Sequence, residues 1–260
     1  MRSNEAKRKL AQGERSFGTM VFEFDTPGIA QLAASAGAEF VMYDTEHTGW
    51  GIDTIRRLMA FHRATDIVPL VRVPAIEYHL VAPVLDAGAL GFMAPMVHTA
   101  EQARQLVSFA RYPPTGRRGA AFGLAHDQYS TGDFAARMRE ADDEVLVIAQ
   151  IESEKGLANV DEIAATDGVD VLWIGQGDLS IALGIPFQYA HRDFLAALDK
   201  VVEAAERHQK TAAFAPTSVE VGEQMMSRGF RCICYSGDLW IYREALAGAL
   251  ARLRETPKTK

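Results

Sequence analysis

Short apolar runs rich in β-branched and aromatic residues recur along the chain, and stretches with helical spacing separate them. The runs that we predict to be strands lie at 18–24, 40–46, 68–74, 91–97, 145–152, 169–175, 211–216 and 230–237. The clearest helical stretches lie at 51–64, 99–112 and 218–229. Near-continuous apolar strands indicate burial on both faces, as in a parallel sheet that is covered by helices.

Eight strands that alternate with helices over roughly 250 residues are typical of a (β/α)8 barrel, the TIM barrel. No linker divides the chain, so we predict one barrel domain over residues 1–260. A doubly wound open sheet is the alternative, and it is disfavoured because no Gly-rich dinucleotide turn follows the first strand. The tail at 238–255 has helical spacing. It would close the barrel or pack on a neighbouring subunit, and the sequence leaves both open.

Composition narrows the class of protein. The 260 residues are 48% hydrophobic and carry a net charge of −7, which argues against nucleic-acid and anionic-membrane partners. No apolar run approaches the ~20 residues of a membrane span, and the charged N-terminus lacks the apolar segment of a secretory signal. Cys232 and Cys234 share one predicted strand, where a disulfide is awkward and two thiols make a poor zinc site. These features predict a cytoplasmic enzyme with reduced cysteines.

Ionisable side chains gather where several predicted strands end. The carboxyl ends of barrel strands form the active-site face of TIM-barrel enzymes, so these side chains are the candidates for chemistry. They are Asp44, Glu46 and His47 after the second strand, Arg72 in the third, Glu152 after the fifth and Asp178 after the sixth. The first, fourth and seventh strands are followed by fewer ionisable side chains; the residues at their ends are Asp25, His98 and Pro216.

Each of the two later carboxylates has a structural and a functional interpretation. Glu152 ends a strongly apolar run, so it is either paired with Lys155 or an arginine, or it binds a metal ion; we favour the metal. Asp178 would cap a helix that begins at Leu179, or it would be a second ligand, and these stay open. Two carboxylates without a histidine or cysteine cluster favour Mg²⁺ or Mn²⁺, which would act as a Lewis acid and stabilise an enolate.

The basic side chains allow the same two interpretations. Arg72 lies among valines, so it is either a structural partner of Asp44 or Glu46, or a fork for a substrate oxygen. His47 is either a satisfied histidine near a helix start or a general base that its acidic neighbours orient. We expect Glu46 to pair locally. No predicted strand end carries a lysine, which argues against a Schiff-base mechanism.

The combination of "DTEH", "VRVP", "LDAGALGFMAPMVHTAEQA", "YPPTGRRG", "QIESEKGLANVDEIAATDGVDVLWIG" and "GQGDLSIALG" resembles the HpcH/HpaI family of metal-dependent class II aldolases of 2-oxo acids. The resemblance runs from about residue 5 to about residue 240. It implies a barrel whose C-terminal helix is exchanged between subunits, and a homo-oligomer, usually a hexamer. It also implies cleavage of a 4-hydroxy-2-oxo acid, of the hydroxy-oxo-heptanedioate or keto-deoxy sugar-acid type, to pyruvate and an aldehyde.

The same resemblance implies roles for individual residues. Glu152 and Asp178 would bind the divalent ion, which is Mg²⁺ or Mn²⁺ with Co²⁺ as a further candidate. Arg72 would steady the enolate oxygen, and His47 with Asp44 beside it would be the acid–base dyad. The remaining contacts to the oxo acid would come from Gln150, from the backbone of Gln176 and Gly177, and from the backbone of Asp178.

Two segments depart from the family pattern. Gln176 stands where the family often has proline, and "AAFGLAHDQYS" replaces a segment that often carries small and basic residues. His126 and Asp127 in that segment are candidates for aldehyde contacts, while Arg117 or Arg118 would bind a substrate carboxylate or anchor the loop. The alternative functions are an oxaloacetate decarboxylase that resembles macrophomate synthase, a CoA-thioester lyase with the same enolate chemistry, and a barrel that binds without catalysing.

Overall fold

A computed structural model describes residues 1–255, and eight parallel strands in it form a closed barrel. The strands are β1 (Ser16–Val21), β2 (Phe40–Asp44), β3 (Val68–Arg72), β4 (Gly91–Ala94), β5 (Leu146–Ile151), β6 (Val171–Ile174), β7 (Thr211–Phe214) and β8 (Cys232–Gly237). Seven of the predicted runs each contain one strand, and the first run, 18–24, overlaps β1, which begins two residues earlier at Ser16. Because β1 pairs with β8, the predicted TIM barrel is confirmed and the open sheet is wrong. Residues 256–260, the end of the predicted domain, lie outside the described residues.

The first helix precedes β1, and at least one helix follows each strand. The helices are α1 (Glu5–Ala11), α2 (Ile29–Ser35), α3 (Ile52–His62), α4 (Tyr78–Ala87), α5 (Ala100–Ala110), α6 (Phe134–Glu144), α7 (Glu154–Ala158), α8 (Val160–Ala164), α9 (Gln176–Ala182), α10 (Arg192–Arg207), α11 (Val219–Ser227) and α12 (Asp238–Glu255). The helical stretches predicted at 51–64, 99–112 and 218–229 contain α3, α5 and α11. Within residues 1–255, no helix is both long and apolar enough to cross a membrane.

The apolar side chains form two layers, because alternate residues of a strand point to opposite faces. One layer fills the barrel and includes Met42, Leu70 and Trp173; the other lies between strands and helices. Cys232 and Cys234 belong to the inner layer, and both are free thiols, as predicted. Burial raises the pKa of Cys232 to about 12, so this thiol is inert at neutral pH.

Helix α12 contacts β1 and β8, yet it does not pack along the barrel of its own chain. Every residue from Trp240 to Glu255 is exposed. Leu246 and Leu250 are 44% and 39% exposed although they lie four residues apart on one face of the helix. On the barrel wall, Phe17 is 42% exposed where a helix would normally cover a strand. Both apolar surfaces therefore lack a covering element within the described chain.

Candidate active site

Arg72 lies between two carboxylates at the ends of β2 and β3. The register of the two strands places Asp44 directly opposite Arg72. The Nε of Arg72 donates to Oδ1 of Asp44 over 2.6 Å, and its Nη1 lies 3.3 Å from Oε2 of Glu46. Asp44 is fully buried and Arg72 is nearly so. The structural pairing that one interpretation predicted for Arg72 is therefore present, and it involves both carboxylates.

The loop after β2 folds around Asp44. Its carboxylate accepts the backbone N–H groups of Glu46 over 3.1 Å and His47 over 3.0 Å. The imidazole of His47 is exposed, and its Nε2 lies 3.7 Å from Oε2 of Glu46. The expected pairing of the His47 ring with Asp44 is thus not the arrangement within the described residues. The oxygens of Asp44 are occupied by backbone amides and Arg72, and Glu46 is the carboxylate beside the ring.

Glu152 follows β5 as a buried carboxylate, 3% exposed. Its Oε1 accepts the backbone N–H of Met96 over 2.6 Å, and the side-chain amide of Gln150 donates to its Oε2. Met96 has a φ of 54°, a left-handed conformation outside β4. Lys155 lies in α7, and the partners of the Glu152 carboxylate in the part of the chain that the structure describes are Met96 and Gln150, not Lys155. The predicted alternative of a lysine salt bridge is therefore wrong.

The environment of Glu152 disfavours its charged form. Burial raises its pKa to about 7, and the negative charges of Glu46 and Asp178 act in the same direction. Burial likewise raises the pKa of Glu46. The positive charge of Arg72 lowers this pKa, and the negative charges of Asp44 and Asp178 raise it further. The three carboxylates of Glu46, Glu152 and Asp178 are consequently close enough to repel one another.

Gly175 closes the site behind Glu152. A Cβ built on Gly175 would lie 2.7 Å from Nε2 of Gln150 and closer still to Oε2 of Glu152. Any larger residue at this position must therefore displace the carboxylate or the strand end. This close contact explains why glycine stands at the start of the loop after β6.

Helix α9 carries Asp178 to the same face of the barrel. The helix begins at Gln176, with Gly175 as its N-cap, so Asp178 lies exposed in the first turn. The predicted alternative in which Asp178 caps a helix beginning at Leu179 is therefore wrong. The side chain of Gln176 donates to the carbonyl of Ala215 over 2.7 Å and ties this turn to the end of β7.

The donor atoms of this face fit a hard divalent cation. Glu152 and Asp178 offer carboxylate oxygens, and the buried atoms Oε2 of Glu46 and Oε1 of Gln150 have no aligned hydrogen bond among the described residues. Within residues 1–255, no three His, Cys, Asp or Glu side chains form a metal-binding cluster. The protein would thus supply two carboxylate ligands and leave other positions for water and substrate, as Mg²⁺ sites commonly do.

Acidic side chains outnumber basic ones on this face. Across the strand ends and the loops that lead to the next helices, within residues 1–255, Arg72 is the only arginine or lysine. Arg57, which pairs with Asp25, lies within α3 and so does not belong to these strand ends and loops. The carboxylates of the same segments are Glu23, Asp25, Asp44, Glu46, Glu77 and Glu152. A cation bound here would relieve this surplus of negative charge.

The segment after α5 lies elsewhere in this chain. His126 borders a small cavity with Leu90, the residue before β4, and so lies toward the opposite end of the barrel. Asp127 is buried and pairs with Arg137 over 2.9 Å. The expected aldehyde contacts from His126 and Asp127 are therefore not made within this chain. The sequence could not reveal this, because the path of a long loop is set by tertiary packing.

The two neighbouring arginines are structural in this chain. Arg118 is buried, donates to Asp86 over 3.0 Å and lies over the ring of Tyr112. The guanidinium of Arg117 lies 4.7 Å from the ring centre of Phe109. Of the two interpretations given for these arginines, anchoring of the loop is the one that the contacts support.

Eight parallel strands with an arginine and several carboxylates at their carboxyl ends define a (β/α)8-barrel enzyme. The chain belongs to the HpcH/HpaI aldolase/citrate lyase family, whose pattern matches residues 19–233. It is therefore a carbon–carbon lyase, a class II aldolase.

Individual relatives are similar over nearly the whole chain. It is 34% identical to a 2-keto-3-deoxy-L-rhamnonate aldolase of Klebsiella pneumoniae, across 97% of this chain and 94% of the relative. It is 33% identical to a hydroxypyruvate/pyruvate aldolase of Roseobacter denitrificans, across 91% of each. The crystal structure of an HpcH/HpaI aldolase from Desulfitobacterium hafniense superposes with a TM-score of 0.93 at 31% identity, covering 98% of both chains.

Proposed function

We propose that the protein cleaves a 4-hydroxy-2-oxo acid of the keto-deoxy sugar-acid type to pyruvate and an aldehyde, in a metal-dependent reaction that passes through an enolate. The observation that carries this proposal is the buried Glu152, whose pKa is raised to about 7 by burial at the strand ends, where the charges of Glu46 and Asp178 act on it as well. A carboxylate held in this way is disfavoured in the metal-free protein and favoured once a cation is bound. The aldolase activities named for the relatives point to the same reaction class.

In this proposal Glu152 and Asp178 hold Mg²⁺ or Mn²⁺, with Co²⁺ as a further candidate. The bound ion would act as a Lewis acid on the 2-oxo group and stabilise negative charge that develops on its oxygen. Gln150 contacts the bound oxo acid. The backbone N–H groups of Gln176, Gly177 and Asp178 face its carboxylate, since the first turn of a helix leaves such groups without intrahelical acceptors.

Arg72 supplies the second positive charge at the enolate oxygen. Its Nε and Nη1 are directed at Asp44 and Glu46, which fixes the plane of the guanidinium. The remaining nitrogen, Nη2, is then directed by that plane and donates to the substrate oxygen. Asp44 acts here by orienting Arg72 and by shaping the loop through the amides that it binds.

His47 takes the proton from the C4 hydroxyl of the substrate, after which the C3–C4 bond breaks and the aldehyde leaves. Its exposed imidazole beside Glu46 is free to meet a substrate at the barrel mouth. A neighbouring carboxylate stabilises the imidazolium that forms. The same imidazolium is the acid that returns a proton when the enolate becomes pyruvate.

The charge of the barrel mouth favours a neutral aldehyde. Arg72 is directed at the oxo-acid end, and no second arginine or lysine stands in the strand ends or the loops that follow them within residues 1–255. A hydroxy-oxo-heptanedioate would place a second carboxylate among acidic side chains, and this repulsion disfavours it. A keto-deoxy sugar acid releases an uncharged hydroxyaldehyde and avoids that cost.

The test is cleavage, measured as pyruvate released from each type of substrate with Mg²⁺ or Mn²⁺. We expect the keto-deoxy sugar acid to be cleaved with a kcat/KM at least ~10-fold above that of the heptanedioate, because like charges at the mouth oppose the latter. EDTA should stop both reactions. Turnover of oxaloacetate or a CoA thioester, without cleavage of either hydroxy-oxo acid, would replace this proposal with one of the alternative reactions.

Gly175→Ala should weaken binding of the metal ion at least ~10-fold, because a Cβ at this position collides with the Glu152 carboxylate and moves it. Calorimetric titration with Mn²⁺ measures the change. Gly28→Ala is the matched control, since a Cβ there meets nothing within 4 Å. Equal affinities in the two variants would show that the position of Glu152 does not matter for the ion.

The raised pKa of Glu152 predicts how stability depends on pH. A carboxyl group whose folded pKa lies above its unfolded value stabilises the fold at low pH, and this contribution is lost as the pH rises toward about 7. The melting temperature of the metal-free protein should therefore fall as the pH rises from about 5 to about 8. Glu152→Gln removes the titrating group and should flatten this fall. Parallel curves for the two proteins would contradict the prediction.

We further propose that α12 packs on a second copy of the chain, within a homo-oligomer that family likeness suggests is a hexamer. The exposed leucines of α12 and the uncovered Phe17 on the barrel wall are the two apolar surfaces that would meet. Leu246→Asp should therefore yield a smaller species in light scattering. Ala251→Asp adds the same charge on the opposite side of α12 and should leave the assembly intact. An unchanged mass for Leu246→Asp would contradict the packing of α12 on a second copy of the chain.

A further inference from the structure

The loop after β1 is held by a carboxylate from the other end of the chain. Asp238, the first residue of α12, is 8% exposed, and its carboxylate accepts three successive backbone N–H groups. They belong to Phe22 over 2.9 Å, Glu23 over 3.0 Å and Phe24 over 2.7 Å. The same carboxylate also accepts the N–H of Leu239 over 2.9 Å. Removing this charge leaves several amides without their acceptor.

Aromatic contacts continue from this loop to the active site. The ring of Trp240 on α12 meets the ring of Phe22 edge-on, with 4.9 Å between their centres. The Phe22 ring centre also lies 5.9 Å from the guanidinium carbon of Arg72. A Cβ on Gly237 would lie 2.9 Å from the Trp240 ring and 3.0 Å from the Phe22 ring, so this packing requires glycine there. Phe22 thus lies between α12 and Arg72.

We propose that Asp238 and Trp240 are positioning residues that hold Phe22 against the guanidinium of Arg72. This inference rests on the proposed function of Arg72 as the group that steadies the enolate oxygen. Phe22 covers one side of the guanidinium, where an aromatic ring attracts the cation and excludes water. With Asp44 and Glu46 on two of its nitrogens, the guanidinium then has a single orientation toward the substrate.

The placement of these residues links the active site to the surface that α12 presents. Asp238 and Trp240 belong to the first turn of α12, and the helix is exposed from Trp240 onwards. Tyr242, one turn after the cap, also meets Phe24 of the same loop at 5.7 Å between ring centres. A partner that packs on α12 therefore stabilises the turn that holds Phe22 in place.

Hydrogen exchange tests this link without relying on catalysis. In Asp238→Asn, an amide replaces the carboxylate and its NH₂ group opposes the backbone donors, so the amides of Phe22, Glu23 and Phe24 should exchange faster. If Phe22 steadies Arg72, the amides of Glu46 and His47 should also exchange faster, because they bind the carboxylate that Arg72 holds. Hydrogen exchange can be measured in a protein with no aldolase activity. Failure of the proposed function can therefore be distinguished from failure of this inference.

Kinetics supply the second readout, as the kcat/KM of metal-dependent pyruvate deuteration. Asp238→Asn and Phe22→Ala should each lower it about tenfold, since a desolvated cation–ring contact is lost. The double variant should lose no more than Phe22→Ala alone, because both changes act through one contact. Trp240→Leu keeps the carboxylate of Asp238 but removes the aromatic ring that packs against Phe22. Its kcat/KM should fall by less than that of Phe22→Ala.

Asp170→Asn is the matched control. Asp170 also accepts a strand amide, that of Val147 over 2.8 Å, but at the start of β5 and therefore at the opposite end of the barrel. It should lower the melting temperature without changing exchange at Glu46 and His47. If Asp238→Asn speeds exchange only at 22–24, or if Asp238→Asn fails to fold and Trp240→Leu leaves exchange at Glu46 and His47 unchanged, the proposal is overturned.

Discussion

Glu152→Gln should lower metal-dependent turnover by at least ~10³-fold while the barrel stays folded, because the bound ion contributes several kcal/mol of transition-state stabilisation. Glutamine has the same shape, and its side-chain oxygen still accepts the N–H of Met96. It also removes a buried charge that the fold disfavours, so the melting temperature of the metal-free protein at neutral pH should hold or rise. Calorimetry and pyruvate release measure the two effects.

Glu23→Gln is the control for that variant. Glu23 is an exposed glutamate in the loop after β1, so the substitution makes the same charge change at the same barrel face without touching the buried site. Its turnover should stay within about twofold of the unaltered protein, as is usual for surface substitutions. Turnover by Glu152→Gln above a tenth of that of the unaltered protein would rule out Glu152 as a metal ligand.

Arg72→Lys should lower kcat/KM by ~10²–10³-fold, the range seen when one preorganised donor to a developing oxyanion is lost. Lysine keeps the positive charge but has a single nitrogen, so it cannot face Asp44, Glu46 and a substrate oxygen together. Alanine is a poorer probe, because it leaves the buried Asp44 unpaired at a cost of about 3–5 kcal/mol. Steady-state kinetics and a melting curve separate lost chemistry from lost stability.

Arg57→Lys provides the comparison for this change. Arg57 pairs with Asp25, and both side chains are well exposed, so the ion pair contributes little to the stability of the fold. Its kcat/KM should hardly change. Should Arg72→Lys retain more than half of the original kcat/KM, a fork at the enolate oxygen would not be part of the reaction.

The barrel could be predicted because its strands are apolar on both faces. Segments rich in glycine, proline and polar residues separate the eight runs, so the existence of each strand was clear from the sequence alone. The ends of the runs were less clear. The first run extends to Phe24, yet β1 ends at Val21, because the next three amides bind Asp238 of α12 instead of a neighbouring strand.

The active-site face could be predicted only in part. Arg72 and Glu152 were apparent, because charged side chains within or after apolar strands need partners. The family resemblance implied that Asp44 and His47 form a side-chain pair, but the carboxylate of Asp44 binds the backbone of His47 instead. Met96 carried no signal, since its role comes from a backbone amide in a left-handed conformation. Such contacts depend on the fold rather than on residue type.

In the proposed reaction, Glu152 and Arg72 serve the metal-dependent formation of an enolate from a 2-oxo acid. The most direct measurement is proton NMR of pyruvate in D₂O with the purified protein and Mg²⁺ or Mn²⁺, because it requires no knowledge of the aldehyde. The methyl signal should disappear with metal, persist with EDTA and persist in Glu152→Gln. A methyl signal that persists with every metal, or that disappears equally in Glu152→Gln, would contradict this proposal.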